Sequence, residues 1–180
     1  ARRGLAELRR FDRKRFTVSQ RVSARVLEWQ LDSIVQAERF SGHSYLFNQG
    51  ISGLPGTLTR FLTDIHPARN PRDVENYLAR LGQVAARLDE AIAEARARAA
   101  RGITPPSFIL TATIDQIERL AKPDPDHNVL VESFEQRIEK VPSISADARH
   151  QFHSATVKVV ADSVVPALRR VIALLNEQRK

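Results

Sequence analysis

The sequence predicts an all-α protein: a multi-helix bundle with one long helix of about 30 residues and a Pro-kinked C-terminal helix. Three observations carry this. Apolar residues recur three and four positions apart along nearly the whole chain. No stretch alternates apolar and polar residues as a half-buried strand does. Pro, Gly and helix-capping residues fall between the periodic stretches, where helices start and stop.

The elements follow in order. Residues 1–18 form a basic arm with a helical apolar side at Leu5, Leu8 and Phe11. A helix is predicted after Ser19 as N-cap, running to about Phe40. It is apolar on two sides. Val22, Val26, Trp29 and Phe40 lie on one, and Leu27, Leu31, Ile34 and Val35 lie nearly opposite. Such a helix is packed between neighbours, either centrally or against a part beyond this chain. Residues 41–56 hold four of the seven glycines and read as a loop with tight turns. A short helix follows from Pro55 to Ile65. Asn70 as cap and Pro71 at the first helical position then open the long helix, which runs to Arg101 and stops at Gly102. Its apolar residues Val74, Leu78, Leu81, Ala85, Leu88, Ile92, Ala95 and Ala99 form a heptad seam, expected to pack within the chain, with a homodimeric coiled coil as the alternative.

A further helix ends near Ala121, with Leu110, Ile114 and Ile117 inward. Residues 122–127 are a Pro-rich turn, and Val129–Lys140 is helical again. The last helix starts after Ser145, and Pro166 inside it removes a hydrogen bond to the Asp162 carbonyl. No linker-like stretch divides the 180 residues, so one helical domain is expected.

Charge narrows the function classes. Residues 1–21 hold eight basic residues against Glu7 and Asp12, whereas the rest holds twenty basic and nineteen acidic residues. The net charge of +7 therefore belongs to one segment. Confined in this way, and with no recognition motif beside it, the charge does not predict a nucleic-acid partner. The apolar side of the arm predicts docking onto protein instead. No apolar run is long enough to span a bilayer. The first residues are polar and basic, with no apolar h-region. The chain begins at Ala1, has no methionine, and is expected to be a processed or partial chain. Cysteine is absent, which excludes thiolate chemistry.

No catalytic motif emerges. None of the five histidines begins a His-Glu helical zinc motif. His150 and His153 lie three apart with Asp147 three before, and are expected to face solvent. Gly50-Ile51-Ser52-Gly53-Leu54 lacks the second glycine of a nucleophile elbow and has no strand before it. The least ordinary segment is Tyr45-Leu46-Phe47-Asn48-Gln49-Gly50. Amides that both donate and accept suit an extended peptide, so Tyr45, Asn48 and Gln49 are the candidate substrate contacts. Alternatively, Leu46 and Phe47 plug the core and the amides satisfy loop backbone groups.

Several stretches resemble the N-terminal region of a bacterial family, domain of unknown function 885. They are Phe47-Asn48-Gln49 with the glycines after it, Phe61-Leu62 leading to His66-Pro67, and Asn70-Pro71-Arg72-Asp73 leading to Tyr77-Leu78-Ala79-Arg80-Leu81. Gly102-Ile103-Thr104-Pro105-Pro106 and Val165-Pro166-Ala167-Leu168 also fit, while Asn128-Val129 departs from an Asn-Pro step. The resemblance covers nearly the whole chain, from about Leu8. Family members are longer and look like all-helical zinc peptidases related in fold to the angiotensin-converting-enzyme and oligopeptidase type. Their His-Glu-x-x-Pro-Gly-His motif lies in a later part.

The resemblance implies a cleft-forming N-terminal part. It implies no catalytic or metal residue and no cofactor in this chain, with zinc in the C-terminal remainder. The expected partners are that remainder and a peptide substrate. An extracytoplasmic location is implied, periplasmic or lipoprotein, with cytoplasmic as the alternative. The competing function is a non-enzymatic helical interaction or dimerisation module.

Overall fold

In the computed structural model of the chain, residues 1–50 and 52–179 are described, Ser41 by its backbone alone. Ile51, in the predicted loop 41–56, and Lys180 lie outside the described residues. The chain is 77% helical, and no strand occurs among the described residues. It divides into two compact units, Ala1–Ser44 and Tyr45–Lys180. Composition marks no boundary at Ser44, because no linker-like stretch lies there.

The first unit contains α1 (Arg2–Leu8), a 3-10 turn at Arg13–Arg15, α2 (Val18–Ala37) and a 3-10 turn at Glu38–His43. The N-cap of α2 is Thr17, not Ser19. The Thr17 hydroxyl accepts from the Gln20 N–H (3.2 Å), and the Gln20 side chain accepts from the Thr17 N–H (2.9 Å). This reciprocal capping box satisfies two helix-end donors at once, which Ser19 does not do. α1 packs on α2 and buries Leu5, with Ala24 buried on α2. The carboxylates that answer the basic arm lie on α2 and just beyond it. Glu28 receives Arg9 (3.0 Å) and Arg13 (2.5 Å), and Glu38 receives Arg2 (2.5 Å). The two guanidinium hydrogen bonds on Glu28 hold its carboxyl below its ordinary pKa.

The second unit starts with an irregular loop and continues into α3 (Leu54–Arg60), which passes straight into a π-helical turn, Phe61–Ile65. α4 (Pro71–Leu81) and α5 (Val84–Ala99) make up a 29-residue bent helix. The start is as the sequence predicts, with Asn70 accepting from the Asp73 N–H (2.9 Å) and Pro71 in the first turn. At the bend the Gln83 N–H donates to the Arg80 carbonyl, three residues back (3.0 Å), so the ladder tightens there. The inward stripe follows the bend. Val74, Tyr77, Leu81, Val84, Leu88 and Ala91 are buried, whereas Leu78, Ala85 and Ile92 of the predicted seam are half-buried. Gly102 closes the helix with φ +77°, its N–H donating to the Ala99 carbonyl and that of Ile103 to the Arg98 carbonyl. Glycine adopts this left-handed conformation without a Cβ clash.

α6 (Ser107–Ala121) buries Leu110, Ile114 and Ile117, and α7 (Val129–Ile138) follows a 3-10 turn at Pro125–His127. The final helix is 34 residues long. It runs through α8 (Ala146–Val159), a π-helical turn (Val160–Val164) and α9 (Val165–Arg179). Ser145 caps it, accepting from the Ala148 N–H (3.2 Å). Pro166 sits two residues past the end of the π turn, and the missing N–H is absorbed by widening the turn before it. α9 packs against both α5 and α6 and buries residues on two sides, among them Val165, Leu168, Leu174 and Leu175. This explains why its apolar surface is wider than one seam needs. Because Leu81 and Leu88 are 0% and 1% exposed, a dimer through them would have to open this core.

Candidate functional site

The loop 45–53 is held from inside and from across the unit. Phe47 is 2% exposed and fills the core, and Tyr45 and Leu46 are half-buried. The Leu54 N–H donates to the Leu46 carbonyl (2.9 Å), closing the loop. Gln116 of α6 pins its tip, accepting from the Gly50 N–H (2.7 Å) and donating to the Gly50 carbonyl (3.4 Å). A Cβ at Gly53 would overlap the Asn48 carbonyl oxygen, so the loop closes tightly only with glycine there.

The three candidate contacts fare differently. The Asn48 amide donates to the Tyr45 carbonyl (3.2 Å), and its oxygen accepts from the Ser52 hydroxyl (3.1 Å). Asn48 therefore serves the loop itself. Tyr45 lines a small hollow with Leu46, Ala95, Arg98, Ile103 and Leu175. Gln49 is exposed and open to a ligand. The amide that matters most to the loop, Gln116, stands 66 residues away, and no sequence signal marks it.

A second cluster surrounds the π turn after α3. A helix ending there leaves carbonyls without intrahelical donors. Arg137 of α7 donates to the Leu62 and His66 carbonyls (both 2.7 Å), and Ser133 to the Thr63 carbonyl (3.3 Å). The Arg137 guanidinium also lies over the Tyr77 ring at 5.5 Å. Tyr77 stacks on Phe134 at 4.4 Å and donates its hydroxyl to the Leu130 carbonyl (2.9 Å). Between these groups sits His66, 2% exposed, with Phe61 and Tyr77 edge-on to it. Its Nδ1 meets the Pro67 carbonyl at 2.7 Å, and a carbonyl only accepts, so Nδ1 carries the proton. Nε2 then accepts from Arg80. Burial first, then the cations Arg80 and Arg137, hold this imidazole below its ordinary pKa, although the Pro67 hydrogen bond opposes them. Burial likewise raises the Tyr77 hydroxyl. Perturbed groups often mark active sites. Here Tyr77 and Phe134 are 0% exposed, so the cluster is closed to a substrate and serves as a polar joint between α3, α4 and α7.

His150 is exposed and His153 half-buried, both at a depression of about 270 Å³. His153 Nε2 faces Asp126 (3.4 Å) and Glu135 (3.9 Å), with no contact to Asp147. Both contacts are to carboxylates, one in the turn before α7 and one on α7. Among the described residues no group of three or more His, Cys, Asp or Glu side chains is placed to hold a metal ion.

Such a molecule is a helical scaffold with a pinned surface loop. The sequence profile of a family described as "Bacterial protein of unknown function (DUF885)" matches residues 1–180, and the chain belongs to that family. No curated protein matches it. A solved structure described as "the putative lipoprotein from Colwellia psychrerythraea" shares the fold, with a TM-score of 0.73 at 22% identity. The match covers 76% of this chain and 23% of that one, so the likeness spans under a quarter of the solved chain's length.

Proposed function

We propose that residues 1–180 are the N-terminal helical part of a longer zinc-dependent peptidase of this family, shaping one side of its substrate cleft. The observation that carries the reading is the pairing of whole-chain family membership with a fold match to less than a quarter of a longer chain. The zinc belongs in the later part, at a His-Glu-x-x-Pro-Gly-His motif, where it polarises a peptide carbonyl and activates water. This chain contributes shape and substrate contacts, with exposed Gln49 and half-buried Tyr45 as the contacting side chains. Asn48 acts by holding the loop that presents them. The "putative lipoprotein" description of the structural relative supports an extracytoplasmic location.

The test is the reading frame beyond Lys180 and the activity of its full product. The reading predicts that the frame continues into the zinc motif, and that the full-length protein cleaves peptides in a chelator-sensitive way. Gln49→Ala should raise KM and leave kcat nearly unchanged. A stop codon directly after Lys180 would sink it.

A further inference from the structure

One face of α2 stands uncovered. Val18, Val22, Val26 and Trp29 are spaced four, four and three apart, which at about 100° per residue places them on one side of the helix. They are 70%, 57%, 52% and 69% exposed. Apolar surface left in water is disfavoured by about 25 cal/mol per Å², and contiguous patches of it mark contact sites. The covering cannot come from α1, which occupies the Ala24 side of the same helix.

The chemistry around this face defines the partner. Arg25 stands one turn from both Val22 and Trp29 and makes no ion pair among the described residues, nor do Arg10 and Lys14. The first unit holds ten basic and five acidic residues. All five acids, Glu7, Asp12, Glu28, Asp32 and Glu38, already face its own arginines. A carboxylate for Arg25 would therefore come from outside this unit. Gln30 lies one turn beyond Val26, and Ser33 one turn beyond Trp29. An amide and a hydroxyl there suit a protein surface, which offers donors and acceptors, and gain nothing in hydrocarbon.

We infer that the Val18–Trp29 face of α2 docks against a later segment of the same polypeptide, an apolar surface rimmed by carboxylates. This rests on the reading that residues 1–180 are part of a longer chain, as the 23% coverage of the solved relative suggests.

The test is hydroxyl-radical footprinting of the native full-length protein, read by mass spectrometry at Trp29. Docking predicts oxidation about tenfold slower than in the same protein unfolded in urea, because a buried interface core excludes water. Val22→Asp with Val26→Asp should restore fast oxidation with helicity unchanged by circular dichroism, since both side chains are exposed within the unit. Oxidation of native Trp29 at the unfolded rate overturns the inference. Protection that grows with protein concentration means a second copy covers the face. Protection that appears only with phosphatidylglycerol vesicles means a membrane does. Either result also overturns it. Zinc content of the same sample separates the two readings. Protection without zinc leaves the docking and sinks the peptidase, and zinc without protection does the reverse.

Discussion

The two units handle apolar residues in opposite ways. In Tyr45–Lys180, valine, leucine and isoleucine side chains from α4 to α9 close on one another, and Tyr77 and Phe134 are sealed at 0% exposure. Among the described residues of Ala1–Ser44, Leu5 and Ala24 are the buried hydrophobics, while the Trp29, Val18 and Phe11 side chains are exposed. Beside that small contact, arginines of the arm meet Glu28, Asp32 and Glu38. Exposed ion pairs contribute little, about 0–1 kcal/mol each. One region completes its own core, whereas the other leaves large apolar side chains in water.

The same kind of substitution in the two regions should therefore give unlike results. Leu88→Glu buries a carboxylate with no partner and should cost about 4 kcal/mol or more, enough to unfold the second unit. Urea unfolding read by circular dichroism checks it, and a folded variant that has merely lost a dimer would break the comparison. Arg137→Ala leaves the Leu62 and His66 carbonyls without their donor, and should cost about 3 kcal/mol in the same assay.

A smaller effect concerns pH. The folded pKa of His66 lies below the ordinary value of 6.5, so just under that pH the unfolded chain binds more protons. Its share of stability is complete above 6.5 and is lost as pH falls, by at most about 1.4 kcal/mol per pH unit. His66→Gln should flatten the fall in urea midpoint between neutral and mildly acid pH. The smallest effect belongs to the first unit. Trp29→Glu should change the stability of residues 1–180 by no more than about 0.5 kcal/mol, because the indole is already exposed.

Local features were legible in the sequence, and those set by distant residues were not. Asn70, Pro71, Gly102 and Ser145 act within three or four residues of themselves, so their roles read directly from the string. Thr17 was legible by the same logic, since Gln20 three residues on completes its capping box. Val74, Leu81 and Leu88 are common to the predicted seam and the buried stripe, but the buried flank is Tyr77, Val84 and Ala91, not Leu78, Ala85 and Ile92; both flanks keep the three–four spacing, so periodicity alone does not choose between them. The burial of His66 depends on Arg80 and Arg137, 14 and 71 residues away. At the candidate site, spacing picks out the loop but not which amide holds it. The use of Asn48 within the loop and the pin from Gln116 both emerge only once α6 is folded beside it.

We propose that residues 1–180 are a scaffold and that the metal lies in a later part of the protein. Zinc analysis of the full-length protein beside residues 1–180 tests it most directly. The expected result is one zinc per full-length molecule and none on the 180-residue chain. Stoichiometric zinc on residues 1–180 alone would contradict it.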